Sequence, residues 1–349
     1  MLDSVQLVGL ALVMGLTLTL PFSVRRVEEE IEIFLLVMGL TAVTISSVWS
    51  VRLVHEALVE PLAITAAVAV VGFLFRAVRS RLKGWLSFLI ARLGLSGAVF
   101  TFVFVLGLGS SVLTAIVAAI ILAELVTLLK LDRKYEVRLT VYACYAIGLG
   151  AALTPLGEPL GTIAIAKLKG PPHHADFWYL MRHLSVWVVP GVLVSAGLAA
   201  RGAGAAVEGA RGLSESGHEK SKDILMRAVR VYAFVMALIF LGAGLRPLAE
   251  RFMVKMPTWA LFWANSISAI VDNATLVAAE VTPAMTDRQI TFVLMGLLIA
   301  GGMLIPGNIP NIISAGKLGI KSREWAKAAL PFGAVLMLVY FVLLSLLVT

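Results

Sequence analysis

Long apolar runs divided by short charged ones set the pattern of this chain. The candidate membrane spans are about 4–21, 31–50, 57–76, 135–165, 184–200, 228–247, 287–316 and 328–348. Each reaches or approaches the roughly 20 residues that a helix needs to cross a bilayer core. Two further apolar stretches, 94–128 and 257–282, are too long for one comfortable helix and carry polar interruptions. In the first these are Ser110, Ser111 and Thr114; in the second, Ser266, Ser268, Asp272, Asn273 and Thr275. Two half-helices meeting at a polar tip fit each stretch, which predicts two re-entrant hairpins. Such backbone survives at membrane depth only where it is buried in protein or lines a cavity.

Composition agrees. The chain is 60% hydrophobic and 14% charged, against about 45–50% and about 25% in soluble domains. The expected class is an all-α membrane protein: about 8 transmembrane helices, two re-entrant helical hairpins and discontinuous helices. The first run, Val5–Leu20, lacks a basic leader, and Arg25 and Arg26 follow it without a cleavage pattern. It reads as a retained helix, not a signal peptide. The single Cys144 excludes a disulfide framework.

The net charge of +8 is explained by topology rather than by nucleic acid. If both hairpins enter and leave on one side, the inside loops take 21 of the 29 basic residues and the outside loops the other 8. That bias satisfies the positive-inside rule. It predicts a multi-pass protein of the cell membrane with both termini outside. It also places a hydrophilic cytoplasmic linker at 201–227.

The linker divides the chain into matching halves. Residues 1–56 form accessory or scaffold helices, 57–200 a first repeat, and 228–349 a second. Ser110-Ser-Val-Leu-Thr114 aligns with Ser268-Ala-Ile-Val-Asp272. Gly157-Glu158 and Lys167-Leu168 align with Gly307-Asn308 and Lys317-Leu318 at a constant offset of 150. The predicted topology puts the hairpins on opposite sides, so the repeats are inverted. Inverted repeats with broken helices are a signature of secondary transporters.

Four breaks carry the candidate chemistry, because broken helix ends expose unpaired N–H and C=O groups. The first is the hairpin tip with Ser110, Ser111 and Thr114. The second is Thr154-Pro-Leu-Gly-Glu-Pro-Leu-Gly-Thr162, whose prolines and glycines cannot continue a helix. It holds Glu158. The third, Ser268-Ala-Ile-Val-Asp-Asn-Ala-Thr275, holds Asp272 beside Asn273 and Thr275. The fourth, Ile305-Pro-Gly-Asn-Ile-Pro-Asn311, puts Asn308 where the second has Glu158. Acids inside a membrane are costly and functional by default. Asp272 and Glu158 are therefore the expected cation and proton site. Asn273, Thr114, Ser110, Asn308 and Thr275 would complete it, and Asn311, Thr154, Ser111, Ser268 and Thr162 are candidate substrate contacts. Glu124 and Glu280, on the outgoing arms of the hairpins, are weaker proton-relay candidates. His173 and His174 are expected to be solvated in an outside loop.

The third and second breaks carry a resemblance. Ser268-Ala-Ile-Val-Asp-Asn-Ala-Thr-Leu-Val-Ala-Ala279 resembles the second-hairpin motif of NhaD-type sodium/proton antiporters, in the ion transporter superfamily. Leu153-Thr-Pro-Leu-Gly-Glu-Pro-Leu-Gly-Thr162 is similar to the first-half break of the same proteins. The whole chain also resembles a short archaeal and bacterial family described as cation transporters. The resemblance implies an elevator-type transporter on an often dimeric scaffold, with a cation site near Asp272, Asn273 and Glu158. The chain departs from that pattern at Thr114-Ala115, where an Asp-Asn pair would match, and at Asn308-Ile-Pro-Asn311.

The expected function is Na⁺/H⁺ antiport, with Na⁺ at Asp272 and Glu158 and no cofactor beyond the coupling ions. The alternative is Na⁺-coupled movement of a small anion held by Asn308, Asn311 and half-helix N-termini. The expected partners are the lipid bilayer, an inorganic cation or small anion, and a second copy of the chain, with no nucleic acid. An intramembrane enzyme is disfavoured. Glu28–Glu30 would suit a paired-glutamate protease, but His55 sits in a short loop and no His-Glu-x-x-His or Gly-x-Ser-x-Gly occurs.

Overall fold

The computed structural model describes residues 3–24, 26–27, 30–203, 221–252, 256–270 and 273–347. All elements among them are helical. In chain order they are α1 (Ser4–Ser23), α2 (Ile31–Ser46), α3 (Val51–Leu113), α4 (Ala115–Leu128), α5 (Arg133–Ala151), α6 (Pro159–Leu168) and α7 (Tyr179–Ala200). The second half follows with α8 (Ser221–Phe252), α9 (Thr258–Ala264), α10 (Asn273–Glu280), α11 (Asp287–Gly301), α12 (Ile309–Leu318) and α13 (Ser322–Leu347). Short 3₁₀ turns occupy Asn265–Ala269 and Ile305–Gly307.

Among the described residues, five helical segments are long and apolar enough to cross a membrane: Ser4–Pro21, Gly84–Leu113, Tyr179–Ala200, Ala228–Leu248 and Ser322–Leu347. Their surfaces carry many exposed large apolar side chains, such as Val105, Val186, Val335 and Leu346. Such surfaces have no favourable partner in water and a natural one in lipid.

Two helices sit in the middle instead. On α11 every residue from Ile290 to Gly301 is buried. On α5 burial is continuous from Ala143 to Ala151. A helix apolar on all sides is covered on all sides. These central helices are the first halves of the two broken segments, and their C-terminal ends lie inside the protein.

The structure departs from the hydropathy reading at two places. The charged stretch 76–92, expected to be a loop, stays helical within α3, because Arg and Lys are good helix formers. The interruption falls instead at Gly94 (φ 69, ψ 172), a conformation that favours glycine. The span at 135–165 is broken where its prolines and glycines predict, into two helices separated by irregular backbone at 152–158. The linker expected to end at 227 gives way to α8 at Ser221.

The arm of α3 after Gly94 and α4 lie side by side. They join at Thr114, whose φ of 72 places a β-branched residue in the left-handed region. That conformation costs about 1–3 kcal/mol and occurs mainly where surrounding contacts enforce it. In the second half, α9 and α10 both pack on α11.

Candidate functional site

At the first break, α5 ends at Ala151 and Ala152 is still helical (φ −69, ψ −12). The chain then turns, and Glu158 stands extended (φ −157, ψ 159) as the N-cap of α6, with Pro159 at the first helical position. Pro favours that position because its missing N–H costs nothing there. Gly157 packs its Cα on the carbonyl of Ala151, and no Cβ fits between them.

The second break repeats this backbone. The helix ends at Gly301, and Gly302 has φ −75 and ψ −17. Asn308 is extended (φ −154, ψ 146) and caps α12. Gly307 packs on the carbonyl of Gly301. Ala151 and Gly301, Gly157 and Gly307, and Glu158 and Asn308 each stand 150 positions apart.

Each break is sewn to the polar tip that precedes it. Ser110 donates its hydroxyl to Gly107 O (2.6 Å) and Ile147 O (2.9 Å). Thr154 donates to Ser111 O. The N–H of Ala115, which opens α4, donates to Gly157 O at 2.8 Å. Thr114 accepts from the N–H of Val117 at 3.3 Å. These bonds hold the strained Thr114 turn in place. In the second half, Ser268 donates to Leu297 O at 3.4 Å, and the acceptors Ile147 and Leu297 again stand 150 apart. Gly307 lies against Ser268 O and the Cα of Ala269.

Asn311 donates to Gly301 O and Leu304 O, both at 2.9 Å, with its own Oδ1 left without a donor. Position 161, which corresponds to Asn311, is glycine. The carbonyl of Ala151 therefore receives no amide. Pro155 supplies no N–H either, and among the described residues this fully buried carbonyl has no hydrogen-bond donor. Buried backbone carbonyls are seldom left so.

The structure thus gathers Ser110, Ser111, Thr114, Thr154 and Glu158 around the first break, and Ser268, Asn308 and Asn311 around the second. Glu158, Asn273 and Asn308 are all buried. A Cβ on Gly301 would stand 3.4 Å from Asn273 Nδ2, and one on Gly148 of α5 would stand 2.9 Å from Asn308 Nδ2. The second contact brings a side chain of the second break to a helix of the first half. Thr162 is exposed and bonds Pro155 O at 2.6 Å, as a local brace of the turn. Asp272 lies outside the described residues, and so does the side chain of Thr275.

Several polar contacts escaped the sequence reading. Glu124 is no open relay: Lys317 of α12 holds it at 2.6 Å in a nearly dry ion pair. His173 is not solvated. Its side chain is 6% exposed and meets Asp287 at 3.1 Å, while Tyr179 donates to the same carboxylate at 3.0 Å. Arg133 joins Glu324 (2.7 Å) and donates to Leu318 O and Gly319 O. All three contacts join the two halves of the chain, and only the alignment of Lys167 with Lys317 hinted at any of them. Cys144 packs as expected, against Ser314 and Pro310.

The profile of one protein family, described as "Protein of unknown function (DUF1646)", matches residues 7–347. The chain belongs to this family. No curated protein matches it. Membership in DUF1646 covers both breaks and both polar tips.

Proposed function

We propose that the protein is an ion-coupled secondary transporter working by elevator-like alternating access, and that its reaction is Na⁺/H⁺ antiport. The observation that carries this reading is the first break. A buried acid, Glu158, caps a half-helix directly after Gly157, which packs on a buried carbonyl that lacks a donor. Such carbonyls and an acid suit a hard monovalent cation. A carboxylate that binds Na⁺ when ionised and H⁺ when protonated makes the two compete, which is the basis of exchange.

The wider architecture belongs to the same proposal. It comprises eight spans, two re-entrant hairpins and two inverted repeats in the cell membrane, with termini outside and a dimeric scaffold. Matching backbone at Ala151–Glu158 and Gly301–Asn308 supports the repeat. Two equivalent breaks in opposite orientation give one packing two mirror-related states, open to either side. Asp272, Asn273 and Thr275 are the proposed second half of the cation site, and Asn308 its neutral counterpart to Glu158. Na⁺-coupled anion movement is the alternative, with Asn308 and Asn311 at the N-terminus of α12.

The test is flux in proteoliposomes across Na⁺, Li⁺, K⁺ and small anions with a pH dye inside. Antiport predicts ΔpH-driven Na⁺ uptake that Asp272→Asn abolishes. Normal flux in that variant, or current that requires an added anion, would sink the reading.

A further inference from the structure

Glu280 ends α10. It is 1% exposed, and among the described residues neither carboxylate oxygen has a hydrogen-bond partner. An ionised carboxylate buried without compensation costs several kcal/mol. The chain handles the other acid on an outgoing arm differently, since Glu124 receives Lys317 from the end of α12. The residue 150 positions before Lys317 is Lys167, near the end of α6, and α6 packs on α10. No ion pair joins Lys167 to Glu280.

Other charged groups with described side chains on the elements packed against α10 are Glu158 at the start of α6, Arg230, Arg246 and Arg251 on α8, and Asp287 and Arg288 at the start of α11. None of them pairs with Glu280. The polar side chain that faces it is the fully buried Asn265. Its amide donates to Val293 O at 3.3 Å, and its Oδ1 has no donor.

Glu280 lines a cavity of about 170 Å³ with Met256, Thr258, Leu261, Met285 and Gln289. The cavity also reaches Thr282 and Ala284 in the loop after α10, where Ala284 is exposed. It has room for several water molecules. Among the described residues of its lining, Glu280 is the only ionisable group, accompanied by the polar Thr258, Thr282 and Gln289.

We propose that Glu280 is a proton-binding site, reached by water from the 281–286 loop and separate from the two helix breaks. Hydronium gives a proton to the carboxylate and leaves water. The neutral acid then needs no lysine, and the reverse step returns the proton to the same water path. The site does not depend on the antiport reading, although antiport would give it a proton to carry.

The test uses the full-length protein in detergent and dicyclohexylcarbodiimide, which adds to protonated carboxyls in water-poor sites, with peptide mass spectrometry to locate the adduct. Glu280 is expected to be modified at low pH, with labelling falling by about tenfold per pH unit above its midpoint. Glu124, held by Lys317, stays unlabelled. Replacing choline chloride with NaCl leaves the profile unchanged. Absence of the Glu280 adduct at every pH overturns the proposal, and so does protection by Na⁺, which would make the ligand a metal ion. Glu280→Gln removes the adduct; should that variant not fold, the wild-type pH profile decides alone. Labelling without any flux would refute antiport and keep this site, whereas flux without labelling would do the reverse.

Discussion

The two helix breaks share one backbone and differ in how they treat the carbonyl that ends the first half-helix. At the second break Asn311 closes Gly301 O and Leu304 O, and a neutral Asn308 caps the next helix. At the first, glycine replaces the asparagine at 161, Ala151 O stays without a donor, and the cap is Glu158. Equal geometry with unequal side chains separates support from function. In the proposed function the closed break serves the fold, while the open one supplies the ligand site. A buried carbonyl without a donor lowers stability by about 1–3 kcal/mol, a cost that the cation of the proposed function would offset.

The comparison predicts its largest effect at the caps. Glu158→Gln should lower ΔpH-driven Na⁺ flux by at least about 100-fold, because the amide keeps the shape but can neither ionise nor exchange a proton. Asn308→Ala should leave measurable flux. Equal losses in both variants, measured in proteoliposomes of matched protein content, would erase the distinction between the breaks.

Next in size is the ion pair that holds α4 to α12. Lys317→Met leaves Glu124 buried without its cation, a change worth about 3–5 kcal/mol. Thermal unfolding in detergent should show it, and Glu124→Gln in the same chain should restore most of the loss. If the double variant is no better than the single one, the lysine acts through packing alone.

Much of this arrangement was legible in the sequence, and the reason is local. Proline and glycine punctuation marks a break whatever the tertiary context, so Pro155, Gly157, Pro159, Pro306 and Gly307 placed both breaks. The offset of 150 is a property of the string, and the matched dihedrals follow it. Partners distant in sequence were not legible. Nothing beside Glu124 names Lys317, 193 positions away, and nothing beside His173 names Asp287. A polar residue in a loop reads as solvated until another element covers it. Helix ends were legible only where a breaker stands: the charge of 76–92 suggested a loop, yet its residue types favour helix and α3 continues through it.

A third test asks whether Asn311 is support alone. Asn311→Ala frees two carbonyls and should cost about 1–3 kcal/mol in detergent unfolding, with little change in ion selectivity. A variant of unchanged stability but altered selectivity would move Asn311 from brace to ligand. The second break would then be as open in function as the first.

The smallest expected effects lie at the outer ends of the central helices, where the halves are also tied. Arg133 opens α5 and reaches Glu324, Leu318 O and Gly319 O beyond α12. Asp287 opens α11 and is met by His173, from the loop after α6. The two ties have corresponding places and opposite charges. The Arg133 and Asp287 side chains are 43% and 61% exposed, so solvent screens both and each ion pair contributes at most about 1 kcal/mol. Arg133→Gln should cost more than Asp287→Asn, because the guanidinium also holds two backbone carbonyls and the amide replaces only part of that fork. Raising the salt concentration should narrow the difference between wild type and each variant, since exposed pairs are screened within a Debye length of about 8–10 Å. A salt-independent loss in Asp287→Asn would mean that the bond from Tyr179, rather than an ionic contact, holds that end of α11.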